Sequence, residues 1–103
     1  RIVEKLRMAK RVYVCGRGSS GLAAEEMATR FRWIGIDMVA LRDNENIKMQ
    51  SVFLNPQNLV IGLSLSGTKS EVLYMLARGC RQGADTILIT EKNRSHTKTF
   101  AGK

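Results

Sequence analysis

The sequence contains one histidine, one proline, one tryptophan and two cysteines, and each scarcity removes a class of protein. His96 has no second imidazole to join it, and no paired carboxylates stand at a known distance. No acid–base couple or metal-ligand set is therefore named, and no cofactor is expected. His96 reads as a solvated loop residue. Cys15 and Cys80 lie in apolar-patterned segments without C-x-x-C spacing, the usage of buried, reduced thiols in a cytoplasmic protein. No apolar run approaches the ~20 residues that span a bilayer, and no signal peptide opens the chain. A membrane partner is not expected.

Acidic residues are few as well, nine against seventeen basic, for a formal charge of +8. That balance invites nucleic acid, but its distribution does not. Residues 1–17 hold six basic residues against Glu4, and residues 92–103 hold four with no acid. Between them seven basic residues face eight acidic ones. The excess belongs to the two ends and forms no central patch. With 44% hydrophobic and 25% charged residues over 103 positions, the composition is that of one lean globular domain.

Helical and strand patterns alternate along the chain. Residues 1–10 read as an amphipathic lead-in helix with Ile2, Leu6 and Ala9 on one face and Val3 beside them. It opens without a cap or an initiator methionine, as expected of a piece of something longer. Residues 11–15 (RVYVC) form a short strand. A helix follows the GRGSSG turn at 16–21 and runs to about Ile34, with Ala23, Met27, Phe31 and Ile34 facing inward, Leu22 alongside, and Gly35 ending it. Residues 36–41 are a second strand. Asp43 or Asn44 caps a helix over 45–53 that buries Ile47, Val52 and Phe53. Residues 55–58 (NPQN) make a turn, and Pro56 sits where no strand amide is needed.

Residues 59–63 (LVIGL) are apolar almost throughout, the mark of a strand covered on both faces. Ser66 or Thr68 caps the next helix, which runs to about Gln82 with Val72, Leu76 and Gly79 on one line and Gly83 closing it. Residues 86–90 (TILIT) are another buried strand, 91–96 a polar loop, and 97–101 the first turns of a helix. Such alternation predicts an α/β fold, an open and mainly parallel sheet with helices on both faces.

Two strand-to-helix junctions concentrate the chemistry. Ser64, Ser66, Thr68 and Ser70 supply hydroxyls, Gly67 lets the chain bend, and the amides of the following helix turn face an anion. That helix end favours an anion by ~0.3–1 kcal/mol, and Lys69 adds a charge. On a facing loop Gly16, Gly18, Ser19 and Ser20 close a tight turn. If the first and third strands are central neighbours, these junctions meet across the crevice where strand order reverses. A helix cap with a polar turn is the plainer reading of each junction. A dinucleotide fingerprint at Gly16, Gly18 and Gly21 lacks its acidic residue, since Asp37 starts a strand and Asp43 falls late. The Walker A order is absent.

Residues 12–21 (VYVCGRGSSG), 30–35, 62–71 (GLSLSGTKSE) and 79–90 (GCRQGADTILIT), with Ser95 beyond them, resemble a sugar isomerase (SIS) domain. The resemblance is greatest to the effector domain of RpiR-type bacterial regulators. It implies a flavodoxin-like three-layer αβα fold over residues 11–103, C-terminally incomplete and lacking its final strand, which would leave the fourth strand an apolar edge. It implies phosphate contacts from Ser64, Ser66 and the Gly67, Thr68, Lys69 and Ser70 backbone, with Ser20 facing them. It further implies a phosphorylated sugar or amino sugar as ligand, a homodimer or higher oligomer, and DNA contact only through a helix-turn-helix domain ahead of residue 1. A phosphosugar isomerase is the alternative. Lys69, His96 and Gly102 depart from the family pattern.

Overall fold

Each β-branched or apolar run becomes a strand of one sheet, and each intervening amphipathic stretch a helix. The computed structural model describes residues 2–64, 70–90 and 97–99. The elements in order are α1 (Ile2–Met8), β1 (Arg11–Cys15), α2 (Ser19–Trp33), β2 (Met38–Leu41), α3 (Asn44–Ser51), β3 (Asn58–Ser64), α4 (Ser70–Arg81), β4 (Asp85–Thr90) and β5 (Thr97–Thr99). The sheet order is β2-β1-β3-β4-β5. The first four strands are mutually parallel and β5 runs antiparallel to β4. This is the mainly parallel α/β sheet that the alternation predicts.

Two apolar layers sandwich the sheet. On one face Ile47 of α3 and Val72, Met75 and Leu76 of α4 pack on Tyr13, Cys15, Val60 and Leu88. On the other, Leu6 of α1 and Ala24 and Ala28 of α2 pack on Val12, Val14, Leu59, Ile61, Leu63 and Ile87. All seven residues of β3 are buried, as a strand covered on both sides requires. Gly62 brings α4 close: a Cβ there would lie 2.6 Å from Val72 Cγ1. An ion pair from Lys5 to Asp85 (3.3 Å) ties α1 to the start of β4.

Several faces differ from expectation. The buried residues of α2 are Ser20, Gly21, Ala24 and Ala28. Ala23 is exposed, Met27 and Phe31 are half-buried, and Leu22 and Ile34 are 62% and 70% exposed. Small side chains let this helix lie close on the sheet, so its larger apolar residues turn outward. In α3 the helix ends at Ser51, which is buried, while Val52 and Phe53 are exposed and Leu54 enters the core in their place. Asp43 caps α3, its Oδ1 accepting from the Asn46 amide at 2.8 Å. Leu6 anchors α1, whereas Val3 is exposed. The second strand begins at Met38, two residues later than expected.

The stretch expected to open a final helix is also different. Thr97 pairs with Ile89 and Thr99 with Ile87 in an antiparallel ladder. Two β-branched threonines suit an edge strand, and their pairing satisfies backbone groups of β4 that would otherwise face solvent. The apolar edge expected on β4 is thus covered at Ile87, Leu88 and Ile89. Ser95, His96 and Gly102 lie outside the described residues.

Candidate functional site

The strand order fixes where a ligand crevice can open. Helix α2 leaves the carboxyl end of β1 toward one face of the sheet, and α4 leaves β3 toward the other. Because β1 and β3 are neighbours, with Cys15 level with Gly62, the connections diverge between them. Parallel sheets collect ligands at such a point.

The first wall is the turn from β1 into α2. The Gly16 amide donates to the Leu41 carbonyl at 3.1 Å, and the Ser20 amide to the Arg17 carbonyl at 3.1 Å. Gly16 is buried, and a Cβ there would sit 2.6 Å from the Ser20 carbonyl oxygen, so only glycine lets the turn close this tightly. Gly18, at φ +62°, occupies the left-handed region. No side chain caps α2; the Ser20 and Gly21 amides donate instead to the Arg17 and Gly18 carbonyls. Ser19 is exposed there, and Ser20 sits buried in the first helical turn.

The second wall begins at Ser64, which ends β3 level with Thr90 of β4 and is 2% exposed. Helix α4 begins at Ser70, which is exposed. Ser66, Gly67, Thr68 and Lys69 lie outside the described residues. Of the hydroxyl-bearing turn expected from the sequence, the structure therefore places the two ends.

An ion pair joins the walls. Arg17 Nη1 lies 2.9 Å from Glu71 Oε2, with both side chains about one-third exposed. The sequence alone does not bring Arg17 and Glu71 together, and their pairing is not among its expectations. The available signal was an opposite charge at each junction. Arg42 contributes a second guanidinium: its Nε lies 3.1 Å from where a Gly21 Cβ would stand. It also approaches Glu25 at 3.9 Å. At the same edge Thr90 Oγ1 is buried and has no hydrogen-bond partner among the described residues.

Cys15 does not supply a nucleophile. Burial pushes its thiol up to about 12, leaving negligible thiolate at neutral pH. A cavity of about 400 Å³ opens at the opposite edge of the sheet, lined by Glu4, Lys5, Met8, Gln57, Asn58 and Asp85 among others. That lining has no glycine turn and no hydroxyl. Among the described residues no helix is long and apolar enough to cross a membrane.

Comparison with known proteins agrees with this architecture. The family model for the SIS domain matches residues 5–102. An uncharacterized HTH-type transcriptional regulator of Haemophilus influenzae is 32% identical over 100 residues, covering 97% of this chain and 35% of the relative. The chain thus spans about a third of the length of that relative. The sugar isomerase domain of the RpiR transcription factor from Sphaerobacter thermophilus superposes with a TM-score of 0.83 at 25% identity, covering 91% of this chain and 53% of that one. The Vibrio vulnificus NanR protein, solved in complex with ManNAc-6P, shares the fold with a TM-score of 0.84 at 24% identity, covering 92% and 36%.

Proposed function

The chain belongs to the SIS-domain family, and from that premise we propose that it is the phosphosugar-sensing effector domain of a transcriptional regulator. The ligand's phosphate rests at the turn of Ser64, Ser66, Gly67, Thr68, Lys69 and Ser70, against the start of α4, with Gly16, Gly18, Ser19 and Ser20 across the crevice. The observation that carries the reading is the meeting of two strand-to-helix junctions at the reversal of strand order, bridged by Arg17 and Glu71. A dianion there meets helix amides, hydroxyls and a guanidinium, the donors a phosphate needs. The regulator names among its relatives favour sensing over catalysis. In this reading the protein works in the cytoplasm as a homodimer or higher oligomer, and touches DNA only through a helix-turn-helix domain outside these residues. Ligand binding acts by favouring one arrangement of the regulator over another, which requires different affinities for the two.

Calorimetric titration with hexose, hexosamine and N-acetylated hexosamine phosphates tests this, followed by an isomerisation assay on each binder. Saturable binding without turnover is expected. Turnover by the full-length protein makes it an isomerase instead, and failure of every phosphorylated sugar to bind removes the reading. Ser66→Ala is expected to weaken phosphorylated ligands about tenfold or more while sparing the fold, because it deletes one charge-assisted hydrogen bond.

A further inference from the structure

Strand β4 carries two buried threonines on one face. Thr86, Leu88 and Thr90 alternate with Ile87 and Ile89, and Leu88 packs in the layer covered by α3 and α4. All three therefore face α4. Thr86 has company there, its Oγ1 lying 3.3 Å from Cys80 Sγ. Thr90 is only 7% exposed, and its Oγ1 is buried with no hydrogen-bond partner among the described residues. An unpaired buried hydroxyl destabilises a fold, so packing alone would be served better by valine at this position.

The register and the course of α4 show what stands before that hydroxyl. Gly62 of β3 is level with Leu88, and Ser64 is level with Thr90. Val72 lies against Gly62 and, two turns further on, Gly79 lies against Val60 and Thr86. Helix α4 thus runs back toward the amino edge of the sheet, and its start at Ser70 projects the other way, past Gly62. Ser64 and Thr90 stand two strand residues beyond Gly62 and Leu88, ~7 Å nearer the carboxyl edge. They form a two-hydroxyl floor beside the opening turn of α4, where the first amides have no carbonyl within the helix to receive them.

We propose that Thr90 is a ligand contact, its hydroxyl donating to a phosphate oxygen of the bound phosphorylated molecule next to Ser64. The inference rests on the phosphosugar reading above and adds a residue of β4 that the turn at 64–70 does not contain. A phosphate dianion brings acceptor oxygens to a helix start, and a threonine hydroxyl has a proton to give them. Turning about χ1 exchanges the places of the hydroxyl and the methyl, so an arriving phosphate can draw the hydroxyl out of its unpartnered seat.

The test compares Thr90→Val and Thr90→Ser with the wild type. Each is melted without ligand and titrated calorimetrically with inorganic phosphate and with the sugar phosphates named above. Thr90→Val keeps the outline of the side chain and removes the donor. Its ligand-free Tm should equal or exceed that of the wild type. Its affinity for inorganic phosphate and for the bound sugar phosphate should fall about tenfold or more. Thr90→Ser keeps the donor and should bind within about threefold of the wild type. A ligand-free Tm lowered by more than about 4 °C in Thr90→Val means that the hydroxyl serves the fold and overturns the inference. Unchanged affinity overturns it as well. A loss confined to sugar phosphates, with inorganic phosphate unaffected, sets Thr90 against the sugar and overturns the phosphate contact. Failure of every phosphorylated compound to bind the wild type removes the sensing reading, and this inference with it.

Discussion

Arg17 and Glu71 hold each other at 2.9 Å, the one from the turn after β1 and the other from the first turn of α4. Glu71 suits its place, because the helix dipole favours a carboxylate there. The same carboxylate would repel a phosphate arriving at that helix end. Arg17 cancels the repulsion and presents a guanidinium toward the crevice.

Removing Arg17 should therefore separate stability from binding. A partly exposed pair contributes at most about 1 kcal/mol after screening, so thermal melts of Arg17→Ala should change little. Its affinity for a bound sugar phosphate should fall about tenfold or more, with partial recovery in Arg17→Lys. Unchanged affinity in calorimetry would take Arg17 out of the site.

The two close-packed glycines should answer differently to alanine. At Gly16 the new methyl meets a backbone oxygen at 2.6 Å, and at Gly62 it meets side chains of Val72 and Leu76. Backbone cannot yield as a rotamer can. Gly62→Ala should cost about 1–3 kcal/mol by overpacking and leave ligand affinity near normal once folded. Gly16→Ala should distort the turn and lose ligand binding as well. Urea titrations and calorimetry on the two variants distinguish these outcomes.

Cys15 should be silent toward thiol reagents in the native state, and Cys80, which is only partly buried, should react first. The linked pH effect has a definite sign. Burial raises the folded Cys15 thiol from 9.0 to about 12, so the native chain holds a proton that the unfolded chain releases. That stabilisation is complete below pH 9 and declines as pH rises toward 12. Cys15→Ala should flatten the decline in melts recorded across that window, whatever it costs in packing.

Asp43→Ala tests the cap of α3. Losing the Oδ1 acceptor for the Asn46 amide should destabilise by about 1 kcal/mol, a fall in Tm of roughly 4–8 °C for a domain of this size. No change would mean that solvent replaces the cap at no cost.

Strands were the readable part of this sequence. β1 matches the run RVYVC residue for residue, and β3 extends LVIGL by one residue at each end, because a strand covered on both faces is apolar along its centre. Helix faces were harder. The choice of Ala23, Met27, Phe31 and Ile34 as the inward line of α2 followed apolar bulk, whereas contact with the sheet selected Ser20, Gly21, Ala24 and Ala28 for smallness. Val52 and Phe53 misled in the same way at the end of α3. Thr97 and Thr99 became a strand because β4 offered an edge, and a partner distant in sequence leaves no local signal. At the candidate site the glycines and hydroxyls announced themselves by type. The Arg17–Glu71 contact did not, since it depends on β1 and β3 being neighbours.

That neighbourhood has a mechanical result. Because α2 and α4 flank opposite sides of the sheet while their amino ends converge on one crevice, a single small guest would grip the upper and lower decks of the molecule together. Amide exchange should then slow on both decks at once, in proportion to occupancy.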